Sequence, residues 1–104
     1  MLPPDAQYEE SAVAESREKV EEPPLFKVLL HNDDFTTMEF VVWVLESVFN
    51  MPEEQAIQVM LNVHLRGSGV AGIYTYEVAE TKVEKTTALA REHEFPLLAT
   101  MEEV

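Results

Sequence analysis

The sequence has no cysteine, only seven lysines and arginines against 20 acids, and no apolar run long enough to cross a bilayer. Without thiols there can be no disulfide, iron–sulfur cluster or thiolate zinc site, so stability has to come from packing. The formal net charge of −13 repels phosphate backbones and anionic headgroups, which argues against nucleic acid and membrane as partners. A membrane span needs about 20 apolar residues. The start, Met1-Leu2-Pro3-Pro4-Asp5, has neither the basic segment nor the apolar run of a signal peptide. The expectation is a soluble, cytoplasmic protein, and 104 residues suit a single domain.

What is present divides into two parts. Residues 1–24 hold seven acids and two bases, net −5, with few large apolar side chains and a proline pair at each end. Such a segment cannot bury enough surface to offset its ordering entropy and is expected to be a flexible acidic tail. Residues 25–104 carry nearly all the aromatics and should form the folded body. Within it, Phe26 to His31 reads as a strand that stops at the turn-forming Asn32-Asp33-Asp34. Thr36-Thr37-Met38-Glu39 has the capping-box spacing, with Thr36 as cap and Glu39 reaching back, and opens a largely buried helix to Phe49. Pro52-Glu53-Glu54 suits the start of a second helix, which should stop at Arg66-Gly67. Val70 to Tyr76 reads as a strand, Glu77 to about Glu94 as a helix with Ala79, Val83, Thr86 and Ala90 on one face, and Leu97 to Met101 as a last strand. The predicted class is α/β in the broad sense, specifically α+β: β-α-α-β-α-β, a small three-stranded antiparallel sheet packed against three helices, with strand order open.

Two places could carry chemistry. Asn32, Asp33 and Asp34 lie between a buried strand and a buried helix, and are either a turn with helix-capping groups or a polar rim aimed at a cation, metal or ammonium. A calcium loop would need a glycine at the sixth position, where Thr37 stands. His64 follows Ile57, Met60 and Leu61 at helical spacing, so it is either a packed core histidine or the polar tip of an apolar pocket wall. His31 and His93 have no partner at metal-binding spacing. No serine sits in a nucleophile elbow and no glycine-rich phosphate loop occurs, so binding outranks catalysis and no cofactor is expected.

Val28-Leu29-Leu30-His31-Asn32-Asp33-Asp34-Phe35-Thr36-Thr37-Met38-Glu39-Phe40-Val41, then Met60-Leu61-Asn62-Val63-His64, Gly72 to Val83, and Pro96-Leu97 together resemble the ClpS adaptor family over residues 25–104. Thr37 stands where many members have proline, and a capping box on Thr36 would not use it. The resemblance implies a non-enzymatic adaptor that binds N-degrons, chains beginning with Leu, Phe, Tyr or Trp, and passes them to the N-terminal domain of an Hsp100 unfoldase, ClpA or ClpC, for degradation by ClpP. It implies an α-amino site at Asn32, Asp33 and His64, and backbone contacts from Asp34 and Thr36. The side-chain pocket falls on Leu30, Met38, Val41, Met60, Val63 and Leu97, and unfoldase docking on Glu77 and Lys82, in a monomer. The residue chemistry agrees, because an ammonium offers three donors and Asn32, a carboxylate and a neutral imidazole are acceptors. The competing reading of Asp33, Asp34 and His64 is a metal-dependent hydrolase. Trp43 is expected in the core, given the continuous apolar run of its helix.

Overall fold

The computed structural model describes residues 22–104, so the tail expected over residues 1–24 falls almost wholly outside the described residues. The elements are β1 (Leu25–His31), α1 (Met38–Ser47), α2 (Glu53–Arg66), β2 (Ser68–Thr75), α3 (Tyr76–Glu92) and β3 (Leu98–Glu103), in the order expected. The sheet order is β2-β1-β3, with both pairings antiparallel. β1 is therefore central, and its period-two alternation sets the two faces of the sheet. Val28 and Leu30 are fully buried. On the opposite face Lys27 pairs with Glu102 at 3.2 Å, with exposed Ile73 across from it on β2.

Each helix boundary has a local cause. α1 buries Phe40, Val41, Val44 and Leu45, a stripe one turn apart along the core side. After α1 the chain turns through Asn50 at φ 56, and α2 begins behind Pro52, with Glu53 and Glu54 in the first turn near the positive end of the helix dipole. It stops at Gly67, whose φ of 92 is the left-handed conformation that lacks a steric penalty only in glycine. α3 presents Ala79, Thr86 and Ala90 to the sheet. The fully buried Thr86 hydroxyl donates to the Lys82 carbonyl at 2.9 Å, so it carries no unmet polar group.

All three strands are longer than the sequence pattern predicts, β1 by Leu25 alone. β3 extends through Glu102 and Glu103 because Glu102 lies directly across from Lys27, and a cross-strand ion pair makes an acid acceptable on a pleated edge. β2 starts at Ser68, and its register skips Ala71 between Val28 and Leu29, a bulge that bends the strand.

Val28, Leu30, Val44 and Leu45, all at 0% exposure, form the centre of one core. Replacing Leu45 with alanine removes several buried methyl groups from it and should cost about 2–5 kcal/mol of unfolding free energy, measured by urea denaturation.

Candidate functional site

The loop leaving β1 is organised by the Asp33 carboxylate. Oδ1 accepts from the Phe35 and Thr36 amides at 2.8 and 2.6 Å, and Oδ2 accepts from the Thr36 hydroxyl at 2.7 Å. Partial burial pushes the Asp33 pKa up, but these bonds to Thr36 and Phe35 outweigh it and hold the group below its ordinary 3.8. The turn reading of this stretch is therefore shown for Asp33, whose three accepted bonds use three of the four lone-pair sites of its carboxylate. Asn32 is anchored separately through its backbone N–H, which donates to the Gly67 carbonyl at 2.8 Å.

The expected cap of α1 has to be corrected. Thr37, not Thr36, is the N-cap, its Oγ1 accepting from the Phe40 amide at 3.1 Å. The Asp33 carboxylate engages the Thr36 hydroxyl first, because a charge-assisted bond is stronger than a neutral one. With Thr37 as cap, the third helical residue is Phe40, so no capping box forms and Glu39 contributes only charge near the helix start.

These elements enclose a cleft of about 230 Å³, lined by Asn32, Asp33, Asp34 and Thr36 from the loop, Met38 and Val41 from α1, and Met60, Val63 and His64 from α2. It is smaller than the usual 300–1,000 Å³ of a drug-sized site and suits one side chain. One wall is polar and the other aliphatic. His64 is exposed and lines the cleft, so the packed-core alternative fails. Leu30 and Leu97 do not line the cleft. They are 0% and 5% exposed and belong to the same core cluster as Val41 and Val63, because the strand alternation turns Leu30 inward with Val28. Trp43 is in neither the core nor the cleft. At 41% exposure it rests against Phe40 and the His93 ring, with centroids 5.7 and 5.4 Å away. The apolar run of α1 is longer than the stripe a helix can bury against one neighbour. His31 bonds Thr100 Oγ1 at 2.7 Å. Among the described residues no three histidine or acidic side chains converge as metal ligands, so the hydrolase reading loses its ligand set.

A family model described as "ATP-dependent Clp protease adaptor protein ClpS" matches residues 21–100. The chain belongs to the ClpS family. Its relatives include ClpS adapter proteins of Myxococcus xanthus, 52% identical over 92% of both chains, and of Methylococcus capsulatus, 59% identical over 88% of this chain and 87% of the relative. Among solved structures, Agrobacterium tumefaciens ClpS2 bound to L-phenylalaninamide superposes with a TM-score of 0.77 at 43% identity, covering 80% of this chain and all of that one. ClpS proteins are adaptors and not enzymes.

Within this ClpS fold the two residues expected at the docking face are treated differently. Glu77 is exposed in the first turn of α3, beside a shallow hollow it shares with Pro23, Pro24, Thr75 and Tyr76. Lys82 is half-buried, and its ammonium donates to the Val48 carbonyl at 2.6 Å. Sequence reasoning also missed Gly69. A Cβ there would lie 2.9 Å from Val63 Cγ2 and 3.4 Å from the α2 backbone, so the absent side chain is what seats α2, and Val63 with it, against β2. The only signal was the clustering of all three glycines within residues 67–72.

Because the folded Asp33 pKa lies below 3.8, the stability it contributes is complete above that value and is lost as pH falls through the lower, folded one. Asp33→Asn should be destabilised at about pH 6, and its difference from wild type should shrink as pH falls to about 3, read from urea unfolding at each pH. A constant difference would mean that the three bonds do not depend on the charge.

Proposed function

We propose that this ClpS adaptor recognises N-degrons through the cleft between β1, α1 and α2. The carrying observation is that one small cleft joins acceptors for an ammonium, Asn32, Asp33 and His64, to an aliphatic wall of Met38, Val41, Met60 and Val63. L-phenylalaninamide, held by the 43% identical ClpS2, is the first residue of a chain reduced to its essentials: a free α-amine, a large apolar side chain and an amide in place of the next peptide bond. Asp34 and Thr36 would meet that first backbone amide. The first residues accepted are Leu, Phe, Tyr and Trp. The loaded adaptor passes its cargo to an Hsp100 unfoldase, ClpA or ClpC, with Glu77 and Lys82 at the docking face and residues 1–24 acting in handover.

Two comparable terms carry the affinity. A charge-assisted hydrogen bond contributes about 1.5–3 kcal/mol and burial of a large apolar side chain about the same. Neither suffices alone, which makes recognition conditional on both a free amine and the right first residue. Acetylation removes the charge and two donors. In fluorescence anisotropy a Phe-starting peptide should bind, and its N-acetylated form should bind at least about tenfold more weakly. Equal binding of the two peptides would overturn the α-amino assignment.

Met38, half-exposed in the first turn of α1, is an unbranched wall that adapts to flat and γ-branched side chains, whereas a β-branched residue brings a methyl group against it. Met38→Ala should narrow the preference for Leu over Ile and Val. An unchanged ratio of Leu-peptide to Ile-peptide affinity would rule out Met38 as the discriminating residue.

A further inference from the structure

The end of α1 remote from the cleft carries an unusual contact. α1 has no basic residue in its last turn, and Glu46 there adds charge of the wrong sign for the negative end of a helix dipole. The missing cation comes from α3. Lys82 Nζ donates to the Val48 carbonyl at 2.6 Å across 34 residues of chain, and lies 5.7 Å from the centroid of the Tyr74 ring on β2. Tyr74 is itself fitted to this place: any side chain at Gly72 would collide with its ring, and the ring centroid is 6.4 Å from that of Phe49, the residue after Val48. Among the described residues no carboxylate lies within ion-pair distance of Lys82. In a body with 13 acids and five bases, this ammonium is spent on a backbone carbonyl. Val48 and Phe49 are 5% and 7% exposed, so the bond sits beside the core, where solvent screens it less than at an open surface.

We infer that Lys82 is a positioning residue for the cleft: by closing the C-terminal end of α1 against α3 and β2, it sets the helix whose first turns supply Met38 and Val41 to the aliphatic wall. α1 has only ten residues, too few to hold its shape in isolation. Its placement depends on contacts at both ends, Thr37 capping one and Lys82 the other. The inference builds on the cleft as the binding site and is separate from any role of Lys82 in docking, because it is expressed with no unfoldase present.

Lys82→Met keeps the aliphatic stem and removes the ammonium, and Lys82→Arg keeps a cation with donors. Both variants and wild type are compared, without unfoldase, by anisotropy with a Phe-starting peptide and by amide hydrogen exchange on the peptide-free proteins. The methionine variant should bind about three- to tenfold more weakly, with faster exchange at Val48 and Met51 and unchanged exchange in β1 and β3. The arginine variant should recover most of both. Exchange at α1 matching wild type overturns the inference, as does a methionine variant that binds with wild-type affinity, which would leave Lys82 to docking alone. Uniformly faster exchange in the sheet as well overturns it too, by making the role one of general stability. If wild type ignores the peptide, the N-degron reading fails, and the exchange pattern alone decides whether Lys82 holds α1.

Discussion

The Asn32 backbone N–H and the Gly67 carbonyl, 2.8 Å apart, join the exit of the central strand, where the polar loop of the cleft begins, to the end of α2, which carries His64. That bond requires Gly67 in a left-handed conformation, φ 92, so that the chain turns back and offers its carbonyl to β1. From there the Asp33 carboxylate winds residues 33–36 into a turn, Thr37 opens α1, and Met38 and Val41 face Met60, Val63 and His64. The loop after β1 and His64 near the end of α2, far apart in sequence, thus share one polar rim. A backbone hydrogen bond is worth only about 1 kcal/mol net, but here it decides which side chains meet.

Charge works at two scales. Over the whole chain, −13 produces a negative potential that concentrates protonated amines near the surface and keeps phosphate away. Locally, the few cations are assigned with economy. Lys27 bridges to Glu102 across the exposed face of the sheet, a contact of small energetic value but one that makes room for acids on an edge strand. Lys82 pairs with no carboxylate among the described residues and bonds a helix end instead. Among the described residues no lysine or arginine pairs with the acids at the cleft, and in the proposed function an arriving ammonium supplies that counter-charge.

Much of this was legible beforehand because it is local. Proline at the start of α2, glycine at its end and period-two alternation in β1 act over a few residues, and element order followed from them. The cleft residues Asn32, Asp33, Asp34, Thr36, Met38, Val41, Met60, Val63 and His64 were all anticipated, by a family resemblance joined to the chemistry of ammonium recognition. Errors arose where two local rules competed or where a partner came from afar. Thr36 and Thr37 both suit a cap, and only the prior claim of Asp33 on Thr36 separates them. Leu30 and Leu97 are apolar enough for a pocket wall, but burial depth is a property of the assembled core. Trp43 lies in an apolar run that is longer than the face α1 can bury.

The amino-acid sequence by itself determined the elements, their order, the acidic character and the residue types available to bind an amine, since each depends on the chain within a turn or two of itself. Tertiary structure alone decided the strand order, which residues line the cleft and which back it, the seating of α2 on Gly69, and the attachment of Lys82 to α1. Those are contacts between segments far apart in the chain. No spacing encodes them, because they are set by how closely backbones approach and by which polar group finds a partner first when the core closes.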